Sequence, residues 1–123
     1  MTKKSSTIRR DSRRRNRSKK TSRYNKKYLR LVVYRSLKHF EAQIIDDFKG
    51  QTILSASSKD KSLKTKIKKV KNKIEISQIV GAALASKAKK DNIKMVVLDR
   101  NGYPYHGRVK AFADSVRENG LKI

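Results

Sequence analysis

Residues 29–36 (LRLVVYRS) form a β-branched and aromatic run of strand length, and in residues 39–46 Ala42 and Ile44 alternate against Gln43 and Ile45. Two strands are predicted there. Residues 46–50 (DDFKG) are turn chemistry, because an aspartate offers a local side-chain bond and a glycine tolerates positive φ, and residues 52–57 then read as a third strand. This predicts an antiparallel meander. Further on, Asn72 and Glu75 have the spacing of a capping box, and Ile76, Ile79, Val80, Ala83 and Leu84 recur at helical period, so a helix should run to about Lys90. Lys87, Lys89 and Lys90 suit the negative end of its dipole, and Asn92 is a suitable left-handed stop. Residues 95–98 (MVVL) are apolar on both faces, the pattern of a buried central strand. Val109, Phe112, Ala113 and Val116 sit at i, i+3, i+4 and i+7 of a final helix, which Gly120 ends and Leu121 can staple. The order β-β-β-α-β-α predicts an α/β (α+β) domain over residues 29–123, a mixed β-sheet with two helices packed on one face.

No such pattern exists upstream. Before Tyr28 the only apolar side chains are Met1, Ile8 and Tyr24, whereas residues 1–30 hold 14 basic side chains and one acid, Asp11. Residues 1–28 are therefore expected to be a basic arm, disordered when free, that orders only against a partner. A second cluster, residues 59–73, has eight lysines and one aspartate. These two segments carry 20 of the 24 net positive charges of the 123-residue chain, in which 34 Lys and Arg stand against 10 Asp and Glu. Such a molecule needs a polyanion. A membrane partner would require a long apolar run or an amphipathic helix with a real apolar face, and no apolar stretch follows the basic N-terminus as in a secretory signal. The expected location is the compartment of synthesis. With no cysteine and only two histidines, the chain offers no disulfide framework and no convincing metal set, so no cofactor is expected.

Catalytic constellations are equally thin. Asp46 and Asp47 are the only adjacent carboxylates and read as turn residues, while a nuclease would need several acids around a metal. His39 and His106 lie on separate elements without a recognisable nucleophile, and the serines at 55–58 lack a hydrolase elbow. The chain is expected not to be an enzyme and to have no small-molecule substrate. Residues 99–108 (DRNGYPYHGR) carry more information, because they run into the N-terminus of the last helix, where unpaired N–H groups and glycines favour a phosphate. Arg100 and Arg108 add forked donors, and Tyr103, Tyr105 and His106 could stack on bases or ribose. The same residues also suit a plain turn in which the tyrosines cover the edge of the core.

Three stretches together resemble one family: residues 29–58 (LRLVVYRSLKHFEAQIIDDFKGQTILSASS), 78–84 (QIVGAAL) and, most specifically, 99–123 (DRNGYPYHGRVKAFADSVRENGLKI). The family is the large-subunit ribosomal protein conventionally numbered eighteen, which binds 5S rRNA. The resemblance implies a protein of the central protuberance that attaches 5S rRNA to the large-subunit rRNA, beside neighbouring ribosomal proteins, in a cytoplasmic or organellar ribosome. It further implies RNA contact by the arm, the first hairpin and the Tyr-His-Gly-Arg loop. In this chain those positions are Arg9, Arg10, Arg13, Arg14, Arg15, Arg17, Lys19, Lys20, Arg23, Lys26, Lys27 and Arg30, then Arg35, Lys38 and His39, then Arg100, Tyr103, Tyr105, His106, Gly107 and Arg108. One departure is Glu41, where similar sequences have tyrosine; an acid repels phosphate, so it should point elsewhere or pair with a lysine. Residues 59–73 are richer in lysine than the family pattern, and read either as a solvent loop or as an RNA contact. The competing function is a chromatin-like DNA-binding protein indifferent to sequence, and a weaker one is an RNA-processing nuclease.

Overall fold

The computed structural model describes residues 9, 10, 12–14 and 29–123. In the arm, Arg9, Arg10, Ser12, Arg13 and Arg14 are helical and exposed, and the expected disorder of the remaining arm residues lies outside the described residues.

The meander forms as the alternation demands. Strands β1 (Leu29–Arg35), β2 (Phe40–Asp46) and β3 (Gln51–Ser57) are antiparallel neighbours, with Leu31 opposite Ile44 and Val33 opposite Ala42. Because side chains alternate across a strand, this register puts Leu31, Val33, Phe40, Ala42, Ile44 and Ala56 on one face, and all six are buried. The β2–β3 turn closes as expected: Asp46 Oδ1 accepts from the N–H groups of Phe48 and Lys49 at 3.1 and 3.3 Å.

The lysine-rich segment is not a plain loop. It forms a 3₁₀ turn (Lys61–Leu63) and a short helix α1 (Lys64–Lys68), fixed by the buried Leu63 and by Ile67 against the core. Helix α2 (Lys73–Lys90) follows, capped by Asn72 Oδ1, which accepts from the Ile74 N–H at 3.0 Å. It stops where Asn92 takes φ +57° and the Ile93 N–H reaches back to the Ala88 carbonyl.

The buried face of α2 differs from the predicted stripe. Val80 and Leu84 are buried, but their companions are Ser77, Gly81, Ala85 and Ala88, while Ile76, Ile79 and Ala83 are only half-buried. Close approach of the last helix, α3 (Arg108–Glu118), explains the rotation. A Cβ on Gly81 would stand 2.8 Å from the Phe112 carbonyl oxygen, so the seam between the two helices admits only small side chains.

Strand β4 (Val96–Asp99) is also corrected, since it is an edge strand rather than a central one: the order is β3-β2-β1-β4, with β4 parallel to β1. Its apolar outer side is explained by the C-terminal tail. The Val96 N–H donates to the Lys122 carbonyl at 2.9 Å, and Leu121 and Ile123 join the core beside it. Helix α3 buries Val109, Phe112, Ala113 and Val116 as predicted, with the Phe112 ring 5.1 Å from that of Phe40.

Candidate nucleic-acid interface

The topology gathers chemistry at one end of the sheet. Strand β1 ends at Arg35, β2 begins at Phe40, β3 ends opposite Glu41, and parallel β4 ends at Asp99, from which residues 100–107 lead into α3. The β1–β2 turn is tight: the Ser36 N–H donates to the His39 carbonyl at 3.0 Å, and Ser36 Oγ accepts from the His39 N–H at 3.1 Å. Leu37 and Lys38 project from its tip into solvent. Ser58 fastens the end of β3 to this turn, accepting from the Phe40 N–H at 3.0 Å and pairing with His39 Nδ1 at 3.0 Å.

The loop from residue 100 to 107 folds back onto the same turn. Tyr103 Oη bridges the Arg35 backbone, 3.3 Å from both its N–H and its carbonyl, while the Arg35 guanidinium lies 4.7 Å from the Tyr103 ring centre. Arg108, first residue of α3, donates to the Ser36 carbonyl at 2.7 Å. Arg35 and Arg108 are near enough to repel: burial first, and the charge of Arg35 second, hold the Arg108 pKa below its ordinary value, against a smaller favourable effect of Tyr103. An arginine nevertheless stays charged at neutral pH. Among the described residues neither guanidinium is paired with a carboxylate.

Gly107 precedes Arg108 at φ +60° and ψ −122°, a conformation that favours glycine, and beyond its chain neighbours no atom lies within 4 Å of where its Cβ would be. The first turn of α3, which begins at Arg108, has no side-chain cap, so its first N–H groups are left free. Tyr105 is exposed and tied to Arg117, which donates to its Oη at 2.7 Å and stands 6.0 Å from the ring centre. Two tyrosine–arginine pairs thus flank the loop.

Arg35, Lys38, His39, Arg100, Tyr103, Tyr105, His106, Gly107 and Arg108 therefore share one end of the fold. Arg30 does not belong to this group. Its guanidinium bonds Asp47 at 3.0 and 3.1 Å and the buried Asp99 at 2.9 Å, and although burial opposes its charge, the bonds to Asp99 and Asp47 raise its pKa overall. Arg15, Arg17, Lys19, Lys20, Arg23, Lys26 and Lys27 lie outside the described residues. Among the described residues Glu41 pairs with no lysine; its Oε1 accepts from Ser57 Oγ at 3.3 Å, within the sheet face that the helices leave open. Ser36, Ser58 and Arg117 escaped the sequence reading, because each acts through a partner at least 12 residues distant or through its backbone. No local spacing signals them.

Among the described residues no group of three His, Cys, Asp or Glu is placed to hold a metal, and no helix is long and apolar enough to cross a membrane.

Comparison with known proteins gives a consistent result. The family described as ribosomal L18 of archaea, bacteria, mitochondria and chloroplast matches residues 1–123. The large ribosomal subunit protein uL18 of Caldicellulosiruptor saccharolyticus is 52% identical over 94 residues, which are 76% of this chain and 75% of the relative. The proteins of the same name from Staphylococcus haemolyticus and Brachyspira hyodysenteriae are each 53% identical over 94 residues, again 76% of this chain and 76% and 75% of the relatives.

Proposed function

Since this chain belongs to the ribosomal L18 family, and so has a structural role in the large ribosomal subunit, we propose that it binds 5S rRNA and fastens it to the large-subunit rRNA at the central protuberance. The observation that carries this reading is the Arg35–Arg108 pair. Among the described residues, these two neighbouring guanidinium groups have no carboxylate partner, one of them is partly desolvated, and Arg108 stands at the uncapped start of α3. Such an arrangement favours a phosphate on electrostatic grounds, since each guanidinium keeps forked donors to offer it. Tyr105 and His106, exposed in the loop that leads into α3, suit ribose or an unstacked base, which duplex DNA does not present.

The work divides by chemistry. The arm, through residues such as Arg13, Arg17, Lys20 and Lys27, supplies phosphate contacts that add strength without reading shape, while the loop supplies selectivity for a folded RNA. Neighbouring ribosomal proteins of the central protuberance complete the proposed surroundings. The test is a competition between 5S rRNA and duplex DNA of equal length at one salt concentration. A clear preference for 5S rRNA is expected; equal affinities would replace this reading with sequence-indifferent DNA binding.

A further inference from the structure

The segment between β3 and α2 has a construction that the interface above does not use. Leu63 is buried, Ile67 is packed against the core and Val70 is half-buried, so the i, i+4 and i+7 positions of the excursion point inward. Its eight lysines, among them Lys61, Lys64, Lys68 and Lys71, are all exposed. The single acid of the segment is already occupied: Asp60 Oδ2 accepts from the Ser57 N–H at 3.0 Å and faces Lys87 of α2 at 3.7 Å. Lysines one helical turn apart, such as Lys64 and Lys68, destabilise the short helix by repulsion, an effect that a polyanion would reverse.

The apolar side is spent on the core, which leaves nothing for a lipid or an apolar protein face to receive. The outer side is dominated by compact ammonium groups beside Ser62, Thr65 and Asn72, without arginine forks or aromatic rings, and this matches phosphate charge rather than base edges. The segment is also continuous with the hairpin end of the sheet, because Ser58 ties its root to His39 and Phe40. We propose that the lysine-covered excursion of residues 59–73 is a second phosphate-binding surface, which holds the backbone of the same RNA independently of both the arm and the loop at residues 100–108. This rests on the RNA-binding reading above.

The experiment compares the full-length chain with a variant carrying Lys61→Gln, Lys64→Gln, Lys66→Gln, Lys68→Gln, Lys69→Gln and Lys71→Gln, changes that keep helix propensity. Affinity for 5S rRNA is measured across a range of salt. Each lost phosphate contact lowers the log–log slope by about 0.7 to 0.9, so loss of three contacts would flatten it by about 2 to 3. An unchanged slope and affinity, with the unaltered chain binding steeply, overturns the surface and leaves the RNA reading in place. Failure of the unaltered chain to bind RNA removes both. Acetylation of lysines in the unaltered protein, read by mass spectrometry with and without 5S rRNA, gives an answer even if the variant does not fold. Protection of Lys61, Lys64 and Lys68 relative to Lys122 is expected. Equal modification in both states, or protection by anionic phospholipid vesicles and not by RNA, overturns the proposal.

Discussion

Arg108 donates to the Ser36 carbonyl across 2.7 Å, so the first residue of α3 holds the turn that carries Lys38 and His39. The side chain lies outside the buried stripe of α3 and yet ties two parts of the candidate interface together. Arg108→Ala should cost about 1 to 2 kcal/mol of stability, the loss of a charged hydrogen bond at a half-buried site, as read by urea unfolding. Its effect on binding should be selective. The ratio of affinities for 5S rRNA and for a scrambled RNA of equal length should fall, whereas Arg13→Ala in the arm should weaken both alike. A ratio unchanged by Arg108→Ala would reduce the loop to a structural turn.

Gly81→Ala sets two effects against each other. In an exposed helix alanine gains roughly 0.5 to 1 kcal/mol over glycine. Here the new methyl would stand 2.8 Å from the Phe112 carbonyl oxygen and 3.1 Å from Ser115 Cβ, and both belong to a helix that buries the core. Overpacking of this kind costs about 1 to 3 kcal/mol, so net destabilisation is expected in a urea titration. A gain in stability would show that the helices can separate freely.

Asp99 and Asp47 both hold Arg30, but only Asp99 is buried. Removing one partner of a buried pair costs about 3 to 5 kcal/mol; with Asp47 still in place, Asp99→Ala should fall near or below the lower end. Asp99 Oδ1 also accepts from the Asn101 N–H at 2.9 Å, so the same change should loosen the start of the loop. Asp47→Ala removes the more exposed half and should cost about 1 kcal/mol or less. Thermal unfolding of the two variants side by side checks the order.

Deletion of residues 1–27 removes 13 of the 34 basic side chains. If these residues neutralise phosphates, the truncated protein should bind RNA with a visibly flatter salt dependence, because fewer counterions are released. A slope equal to that of the full chain would assign the main electrostatic contact elsewhere.

The sequence by itself determined the features that depend on neighbours in the chain. The alternation of Leu31, Val33, Ala42 and Ile44 specified the buried sheet face, Asp46 and Gly50 the turn, Asn72 and Asn92 the ends of α2, and the Val109 to Val116 stripe the inner side of α3. These are local periodicities and local hydrogen bonds, so a one-dimensional pattern contains them. Tertiary structure alone decided which face of α2 is buried, because the helix turned its smallest residues inward to let α3 approach at Gly81, against the hydrophobic ranking that favoured Ile76 and Ile79. It decided likewise that β4 lies at the edge, where the C-terminal tail rather than another strand covers its start. It also separated Arg30, held by two aspartates, from Arg35 and Arg108, which have none among the described residues. Charge is visible in a sequence, but whether an arginine is neutralised depends on carboxylates 17 and 69 residues away, and only the folded chain brings them within reach.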